Sequence, residues 1–159
     1  FLCKNRPLFH YEQHALGFNF RMTSFQAALG ISQLKKVPYW HARRNKLAAR
    51  YNAAFSKSSG IECQTLLSGV DSSYHLFVIL TNCQQALYEH LVESDILTQV
   101  HYPPIHLQPF YQSLGFKIGD FPLSEQYYEH ALSIPLYPKL TFKEQDFIIK
   151  KILTFVQCQ

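Results

Sequence analysis

The spacing of apolar residues predicts two helices in the first third of the chain. Apolar residues recur at i, i+4 and i+7 between Ala27 and Leu34, which is the interval of one helical face. Thr23 precedes this run and Gln26 follows Thr23 by three positions, a capping-box pattern that predicts where the helix begins. A second helix is predicted over about 38–55, because apolar residues recur there at four-residue intervals and Pro38 suits a first helical turn.

The rest of the chain alternates between strand-like and helix-like patterns. The polar stretch 56–60, SKSSG, interrupts the pattern and predicts a domain boundary. Beyond it, strands are predicted at 74–81 and 97–102, with a helix at 83–95 between them. The other predicted elements are a short helix within 103–115, a helix at 124–132, and a last helix behind a second capping-box pattern formed by Thr141 and Glu144. Strand, helix and strand surrounded by helices predict an α/β or α+β fold.

Composition limits the classes of protein that fit. The chain has 159 residues, of which 47% are hydrophobic and 16% charged, enough apolar material for a packed core and an argument against wholesale disorder. The net charge of +4 suits an anionic ligand but is too small to indicate nucleic-acid binding. No apolar run is long enough to cross a membrane, and the first residues lack the layout of a signal peptide. Because the chain begins with Phe1 rather than Met, we expect a piece of a longer protein.

The four cysteines predict neither a zinc site nor a disulfide framework. Cys3, Cys63, Cys83 and Cys158 form no C-x-x-C pair, and their spacing fits no zinc template. We therefore expect reduced thiols in a cytoplasmic protein.

Two segments carry candidate polar chemistry. Asn19 and Arg21 flank Phe20 directly before the first predicted helix, where a carboxamide and a guanidinium could bind an anion. A turn with a solvated arginine is the alternative. In HYPPIHLQPF, His101 and Tyr102 end a predicted strand and His106 follows on a proline-stiffened loop. Such strand ends often hold ligands, and both side-chain types hydrogen-bond phosphates and hydroxyls; two surface histidines on a proline-rich turn are the alternative.

The other histidines and the paired basic residues give weaker signals. His10 and His14 have the spacing of a helical metal pair, but the region has no helical period and no third ligand nearby, so no metal site is predicted. His75 opens a predicted strand, where a partly buried, hydrogen-bonded histidine is expected. Solvated helix faces are favoured for the pairs Lys35/Lys36 and Arg43/Arg44.

Several blocks in order resemble one protein family. The blocks are LGFNFRMTSFQAALGISQLKK, RRNKLAARYNAAF, YHLFVIL, TQVHYPPIHLQPFY and LSIPLYPKLT. Together they resemble the C-terminal part of the DegT–StrS sugar-nucleotide aminotransferases, which are pyridoxal phosphate enzymes of fold type I. The resemblance runs from about residue 15 to the end. SQLKKVP and TQVHYPP are similar to the branch that acts on UDP-4-keto-6-deoxy-N-acetylhexosamines in the pathway to pseudaminic acid.

The resemblance implies roles for individual residues. Asn19 matches the asparagine that reaches across the dimer interface to the cofactor phosphate, and Arg21 matches the arginine beside it. His101 and Tyr102 match the histidine–tyrosine pair on the substrate side, and His106 belongs to the same block. No catalytic residue is expected in this chain, because the family's Schiff-base lysine lies upstream and the lysines present match no such motif. Asp95 stands where the family usually has glycine, which leaves the local turn geometry open.

The resemblance also implies a domain division and a function. Residues 1–37 correspond to the tail of the large pyridoxal-phosphate-binding domain with its dimer-interface segment, 38–57 to a connecting helix, and 58–159 to the small C-terminal α/β domain. The intact parent would be a cytoplasmic homodimer that transfers an amino group from glutamate to a UDP-linked 4-keto-6-deoxy sugar. The chain alone would be inactive. The alternatives are a free-standing, non-catalytic remnant that dimerises or binds sugar nucleotides, and a 3-amino transferase or dehydratase relative.

Overall fold

A computed structural model describes residues 13–18 and 20–157. Asn19 lies outside the described residues, as do His10, Cys3 and Cys158, so the predictions made for them have no structural counterpart here. The chain divides into two compact units, Phe1–Lys36 and Val37–Gln159.

The first unit contains the first predicted helix, α1 (Ser24–Leu34). Its capping box is confirmed: the Gln26 amide N–H donates to Thr23 Oγ1 over 3.3 Å, and the Thr23 amide N–H donates to Gln26 Oε1 over 2.9 Å. These two bonds satisfy backbone donors that a helix start leaves without partners. The predicted apolar face lies open, since Ile31 is 58% and Leu34 69% exposed.

The second unit begins with the second predicted helix, α2 (Val37–Phe55). Its apolar face is buried as the spacing predicts, with Leu47, Tyr51 and Phe55 in the core. The solvated face predicted for the Arg43/Arg44 pair is wrong for Arg43. This half-buried side chain donates to the carbonyl oxygen of Leu140 over 2.6 Å, and its guanidinium lies 4.5 Å from the Phe142 ring centre. Its Nε also donates to the Pro138 carbonyl over 3.4 Å, so the planar guanidinium bonds two carbonyls and stacks on a ring, which explains the burial.

Three short antiparallel strands form the sheet of the second unit. They are β1 (Glu62–Cys63), β2 (Phe77–Leu80) and β3 (Ala131–Ile134), in the order β1-β2-β3. Glu62 pairs with Leu80, and Phe77 pairs with Ile134. The strand predicted at 74–81 is confirmed in its second half. The antiparallel sheet places the fold in the α+β class, one of the two predicted.

One prediction around the sheet is wrong, and the bounds of one predicted helix are shifted. No strand forms at 97–102; that segment contributes one isolated bridge, between Gln99 and Ser133. The helix predicted at 124–132 ends at His130, and β3 follows without a loop. The Gln84 side-chain amide fixes this junction, because its Nε2 donates to the carbonyl oxygens of Tyr128 and Ala131, each over 2.8 Å.

The helices predicted after α2 are confirmed with shifted bounds. They are α3 (Gln84–Glu93), α4 (Pro109–Ser113), preceded by a 3₁₀ turn at Ile105–Leu107, α5 (Pro122–His130) and α6 (Phe142–Gln157). The second capping box is also confirmed, since the Glu144 amide N–H donates to Thr141 Oγ1 and the Thr141 amide N–H donates to Glu144 Oε2. None of the helices in the described residues is long and apolar enough to cross a membrane.

The core of the second unit lies where α2, α3 and α6 meet the sheet. β2 alternates: Phe77 and Ile79 are buried and Val78 and Leu80 half-buried. The turn after α3 explains Asp95. Its φ is 58°, and its amide donates to the Val92 carbonyl while the Ile96 amide donates to the Leu91 carbonyl. This pair of bonds is the helix-ending motif that places glycine in the left-handed region, so Asp95 occupies a glycine-type position.

Candidate functional site

The segment that carries His101 and Tyr102 is held to the sheet by the bridge beyond β3. The Gln99 amide donates to the Ser133 carbonyl over 3.2 Å, and the Ser133 amide donates to the Gln99 carbonyl over 2.8 Å. Val100, which lies between Gln99 and His101 in the chain, packs against the core. Two main-chain bonds and one apolar anchor therefore fix the backbone directly before His101.

His101 and Tyr102 lie side by side at the surface. His101 is half-buried, and its Nδ1 lies 2.9 Å from Ser133 Oγ. The Tyr102 ring meets the imidazole edge-on at 4.9 Å between ring centres, while 72% of Tyr102 stays exposed. The peptide bond between them is cis. An imidazole and a phenol together offer hydrogen bonds to a phosphate or a hydroxyl group.

His106 is placed differently. It lies on the 3₁₀ turn, is 7% exposed, and its Nε2 is 2.7 Å from Oε1 of Glu125. Its ring packs on that of Phe121 at 4.8 Å between centres. In the part of the chain that the structure describes, no hydrogen bond or ring contact joins His106 to His101 or Tyr102. The structure thus brings two of the three predicted substrate residues together and ties the third to α5.

Glu125 is a connection that sequence reasoning missed. Besides His106, its carboxylate accepts hydrogen bonds from the amides of Gly119 and Phe121. Desolvation acts to raise the pKa of Glu125, but the hydrogen bonds from His106 and these two amides, with the attraction of His106, lower the pKa overall. The carboxylate therefore joins the 3₁₀ turn, the loop before α5 and α5 itself. His106 and Glu125 are nineteen positions apart in the sequence, so no local pattern indicates their contact.

In the first unit, Arg21 lies three residues before α1 and is exposed. Phe18 and Phe20 stack at 5.3 Å between ring centres, and both are more than four-fifths exposed. The geometry of the predicted Asn19–Arg21 anion site is described only on the arginine side, because Asn19 lies outside the described residues.

The remaining candidates do not form a site. The prediction for His75 is wrong: this residue is exposed and lies two positions before β2. No group of three or more metal-ligating side chains occurs among the described residues. Cys63 and Cys83 are free thiols, and burial, with a smaller effect of Glu62, raises the pKa of Cys63, so this thiol is a weak nucleophile at neutral pH.

Two open cavities border the half-buried face of β2. One, of about 790 Å³, reaches from Gly60 to His130, and the other, of about 640 Å³, reaches from Cys63 to His75. Tyr127 of α5 lines both, whereas neither His101 nor Tyr102 lines either cavity. The two cavities are therefore separate from the His101–Tyr102 pair.

Comparison with known proteins identifies the relatives of the chain. The profile of the DegT/DnrJ/EryC1/StrS aminotransferase family matches residues 3–153. An uncharacterised protein of Methanocaldococcus jannaschii is 37% identical over 157 residues, covering 91% of this chain and 40% of that protein. The UDP-4-amino-4,6-dideoxy-N-acetyl-beta-L-altrosamine transaminase of Helicobacter pylori is 32% identical over 153 residues, covering 93% of this chain and 40% of the relative.

Solved structures give the same result. Helicobacter pylori PseC, an aminotransferase of pseudaminic acid biosynthesis, matches with a TM-score of 0.80 at 31% identity, covering 97% of this chain and 43% of that one. A proposed sugar aminotransferase of Streptococcus pneumoniae in its PLP form matches with a TM-score of 0.82 at 28% identity, covering 94% and 40%. The chain spans about two fifths of the length of these proteins, and both the fold and the resemblance predicted from the sequence are confirmed. The chain belongs to the DegT/DnrJ/EryC1/StrS aminotransferase family.

Proposed function

We propose that this chain is the C-terminal portion of a pyridoxal-phosphate-dependent sugar-nucleotide aminotransferase and carries part of its substrate surface. The observation that carries the proposal is the family match over residues 3–153, with His101 and Tyr102 paired at the surface on a fixed segment. The parent enzyme would move an amino group from glutamate to a UDP-linked 4-keto-6-deoxy sugar. The Helicobacter pylori transaminase among the relatives supports this class of substrate.

His101 and Tyr102 bind the sugar nucleotide in this proposal. The imidazole and the phenol provide hydrogen bonds to hydroxyl or phosphate oxygens. The Gln99–Ser133 bridge holds the backbone before these two residues against the sheet, which limits their movement. His106 was predicted to contact substrate as well, and that role stays a prediction. The contact between His106 Nε2 and Glu125 supports a structural function for His106. It holds the loop that follows His106 against α5.

In this proposal the chain contributes to the phosphate side of the cofactor site and not to its reacting end. Pyridoxal phosphate, when bound, supplies the electron sink for amino transfer and needs a lysine for its Schiff base. The lysines of this chain match no Schiff-base motif of the family. We infer that Asn19 and Arg21 contribute contacts to the cofactor phosphate across a homodimer, and that the lysine belongs to another part of the parent. The chain alone is then inactive.

Domain division and location follow the same proposal. Residues 1–37 belong to the large domain, 38–57 connect, and 58–159 form the small domain, although α2 also supplies core residues to the second compact unit. A cytoplasmic location suits a sugar-nucleotide enzyme and the free thiols of Cys63 and Cys83.

The test is a titration of the isotope-labelled chain with UDP-N-acetylglucosamine, followed by NMR of the histidine rings. Even millimolar affinity, about 4 kcal/mol of binding free energy, is sufficient for such a titration. We expect the His101 signals to shift and those of the exposed His75 to stay in place, and His101→Ala to abolish the response of the neighbouring Tyr102. Unchanged His101 signals at saturating ligand would refute a substrate role for this surface.

A parallel measurement tests the assignment of the chemistry. The chain is incubated with pyridoxal phosphate, glutamate and a 4-keto sugar nucleotide, and amino transfer is followed by mass spectrometry. We expect no amino sugar above the level without protein. Turnover by this chain would overturn the inference that the Schiff-base lysine lies elsewhere.

A further inference from the structure

Ser133 is the residue that holds the His101 ring. It lies within β3, pairs with Val78 of the neighbouring strand, and is 7% exposed. Its amide and carbonyl both bond Gln99, so its backbone cannot turn away from the His101 segment. Its Oγ reaches Nδ1 of His101 at 2.9 Å. Strand, bridge and side chain thus form one rigid connection from the sheet to the imidazole.

The direction of this hydrogen bond follows from the surroundings of the hydroxyl. Among the described residues, His101 Nδ1 is the only hydrogen-bond partner of Ser133 Oγ. If Nδ1–H donated to the serine, the hydroxyl proton would be buried without an acceptor, which costs about 1–3 kcal/mol. If the hydroxyl donates to an unprotonated Nδ1, both groups are satisfied. The second arrangement is therefore the more stable one for a neutral imidazole.

We infer that the Ser133 hydroxyl donates to Nδ1 of His101 and holds the imidazole as the tautomer protonated at Nε2. Ser133 is then a positioning residue for the sugar-nucleotide contact of His101. Only the identity of the ligand rests on the proposed function. Since the bond occupies Nδ1, the nitrogen left to meet a ligand is an N–H donor.

The donor suits the ligand proposed above. The diphosphate and the sugar of a nucleotide sugar offer oxygen acceptors, and an N–H donor held in a fixed direction can hydrogen-bond them. The opposite tautomer would present a lone pair to those oxygens, which repel it. Ser133 therefore sets the polarity of the His101 contact as well as its direction.

The tautomer can be read directly in the purified chain. Long-range proton–nitrogen correlation spectra separate protonated from unprotonated ring nitrogens, at about pH 8.5, where an ordinary imidazole is neutral. We expect Nδ1 of His101 to be unprotonated in the wild type. Ser133→Ala should shift the tautomer ratio about fivefold toward Nδ1–H, the effect of losing one ordinary hydrogen bond. Ser133→Thr keeps the hydroxyl and should restore the wild-type ratio.

Thr98→Val is the matched control, because it also removes a hydroxyl from this segment. The Thr98 hydroxyl has no hydrogen-bond partner among the described residues. It should leave the ratio unchanged. A protonated Nδ1 in the wild type, or the same ratio in the wild type and Ser133→Ala, would overturn the inference.

A second readout separates this inference from the proposed function. Wild type and Ser133→Ala are titrated with UDP-N-acetylglucosamine, and we expect about a fivefold weaker response from the variant. Suppose that Ser133→Ala changes the tautomer ratio but neither protein responds to the sugar nucleotide. The positioning role of Ser133 would then stand, and the proposed ligand would be refuted.

Discussion

Replacing Gln145 by alanine tests how the second unit is held together. Gln145 is a fully buried polar side chain in α6. Its Nε2 donates to the Leu47 carbonyl over 2.8 Å, and its Oε1 accepts from Arg50 Nε over 3.0 Å. One side chain therefore connects α6 to α2 at two points, and Gln145→Ala removes both.

The magnitude follows from these contacts. A neutral hydrogen bond contributes about 1 kcal/mol net and one to a charged group about 1.5–3 kcal/mol, so the two together give about 3 kcal/mol. The Leu47 carbonyl keeps its place in the helix and Arg50 keeps its contact with Asp146, which limits the loss. Gln145→Leu fills the same space without the polar atoms, and its free energy of unfolding should fall by a similar amount. If packing alone caused the loss, Gln145→Leu would be as stable as the wild type.

Urea unfolding followed by far-UV circular dichroism gives the measurement, with the slope m unchanged and the midpoint lowered. Gln126→Ala, on the exposed side of α5, is the control and should stay within about 0.5 kcal/mol of wild type. A loss below about 1 kcal/mol for Gln145→Ala would show that neither hydrogen bond contributes as the geometry implies.

Three further substitutions test individual features. Asp95→Gly should raise the free energy of unfolding by about 1 kcal/mol, because φ is 58° there; a lower urea midpoint would contradict the left-handed assignment. Thr98→Val should raise it by about 1 kcal/mol by removing a buried hydroxyl without a partner, and a drop in midpoint would reveal a partner. Glu125→Gln tests linkage: because folding lowers the pKa of Glu125, its charge stabilises the fold above the unfolded-state pKa of about 4.3, and this contribution is lost as pH falls through the lower folded value. Thermal melts between about pH 6 and pH 2 should therefore show a smaller acid-induced loss in the variant than in wild type, and parallel profiles would contradict this.

Local signals predicted the helices well. Both capping boxes form the bonds that their sequence pattern indicates, at Thr23 and at Thr141. The apolar spacing of α2 correctly predicted a face that is buried at Leu47. These elements depend on residues within a few positions of each other, so a window of sequence contains the whole signal.

The strands and the buried polar contacts depend on distant residues. β3 follows α5 without a turn, and its four residues are buried. It pairs with β2, and the Gln84 amide donates to its Ala131 carbonyl, and a local pattern reveals neither contact. Gln145 stands in the polar run KEQD, yet its partner Leu47 is 98 positions away. Ser133 lies within the block LSIPLYPKLT, which carried the family resemblance, but only the folded chain brings it to His101, 32 positions away.

The distribution of exposed apolar residues leads to a last prediction. Large apolar side chains lie open in two stretches, 16–34 in the first unit and 102–123 in the second, among them Phe18, Phe25, Phe110 and Leu123. The core of the second unit is complete without them, since Leu47, Phe77 and Ile152 are fully or almost fully buried. Exposed large apolar side chains in each stretch are typical of a contact region. We therefore expect the purified chain to associate as its concentration rises, measured by sedimentation velocity. Phe18→Ser and Leu123→Ser should each weaken association without lowering the urea midpoint, because neither side chain belongs to the core. A monodisperse monomer throughout would mean that these residues are tolerated in water and are not evidence for an interface.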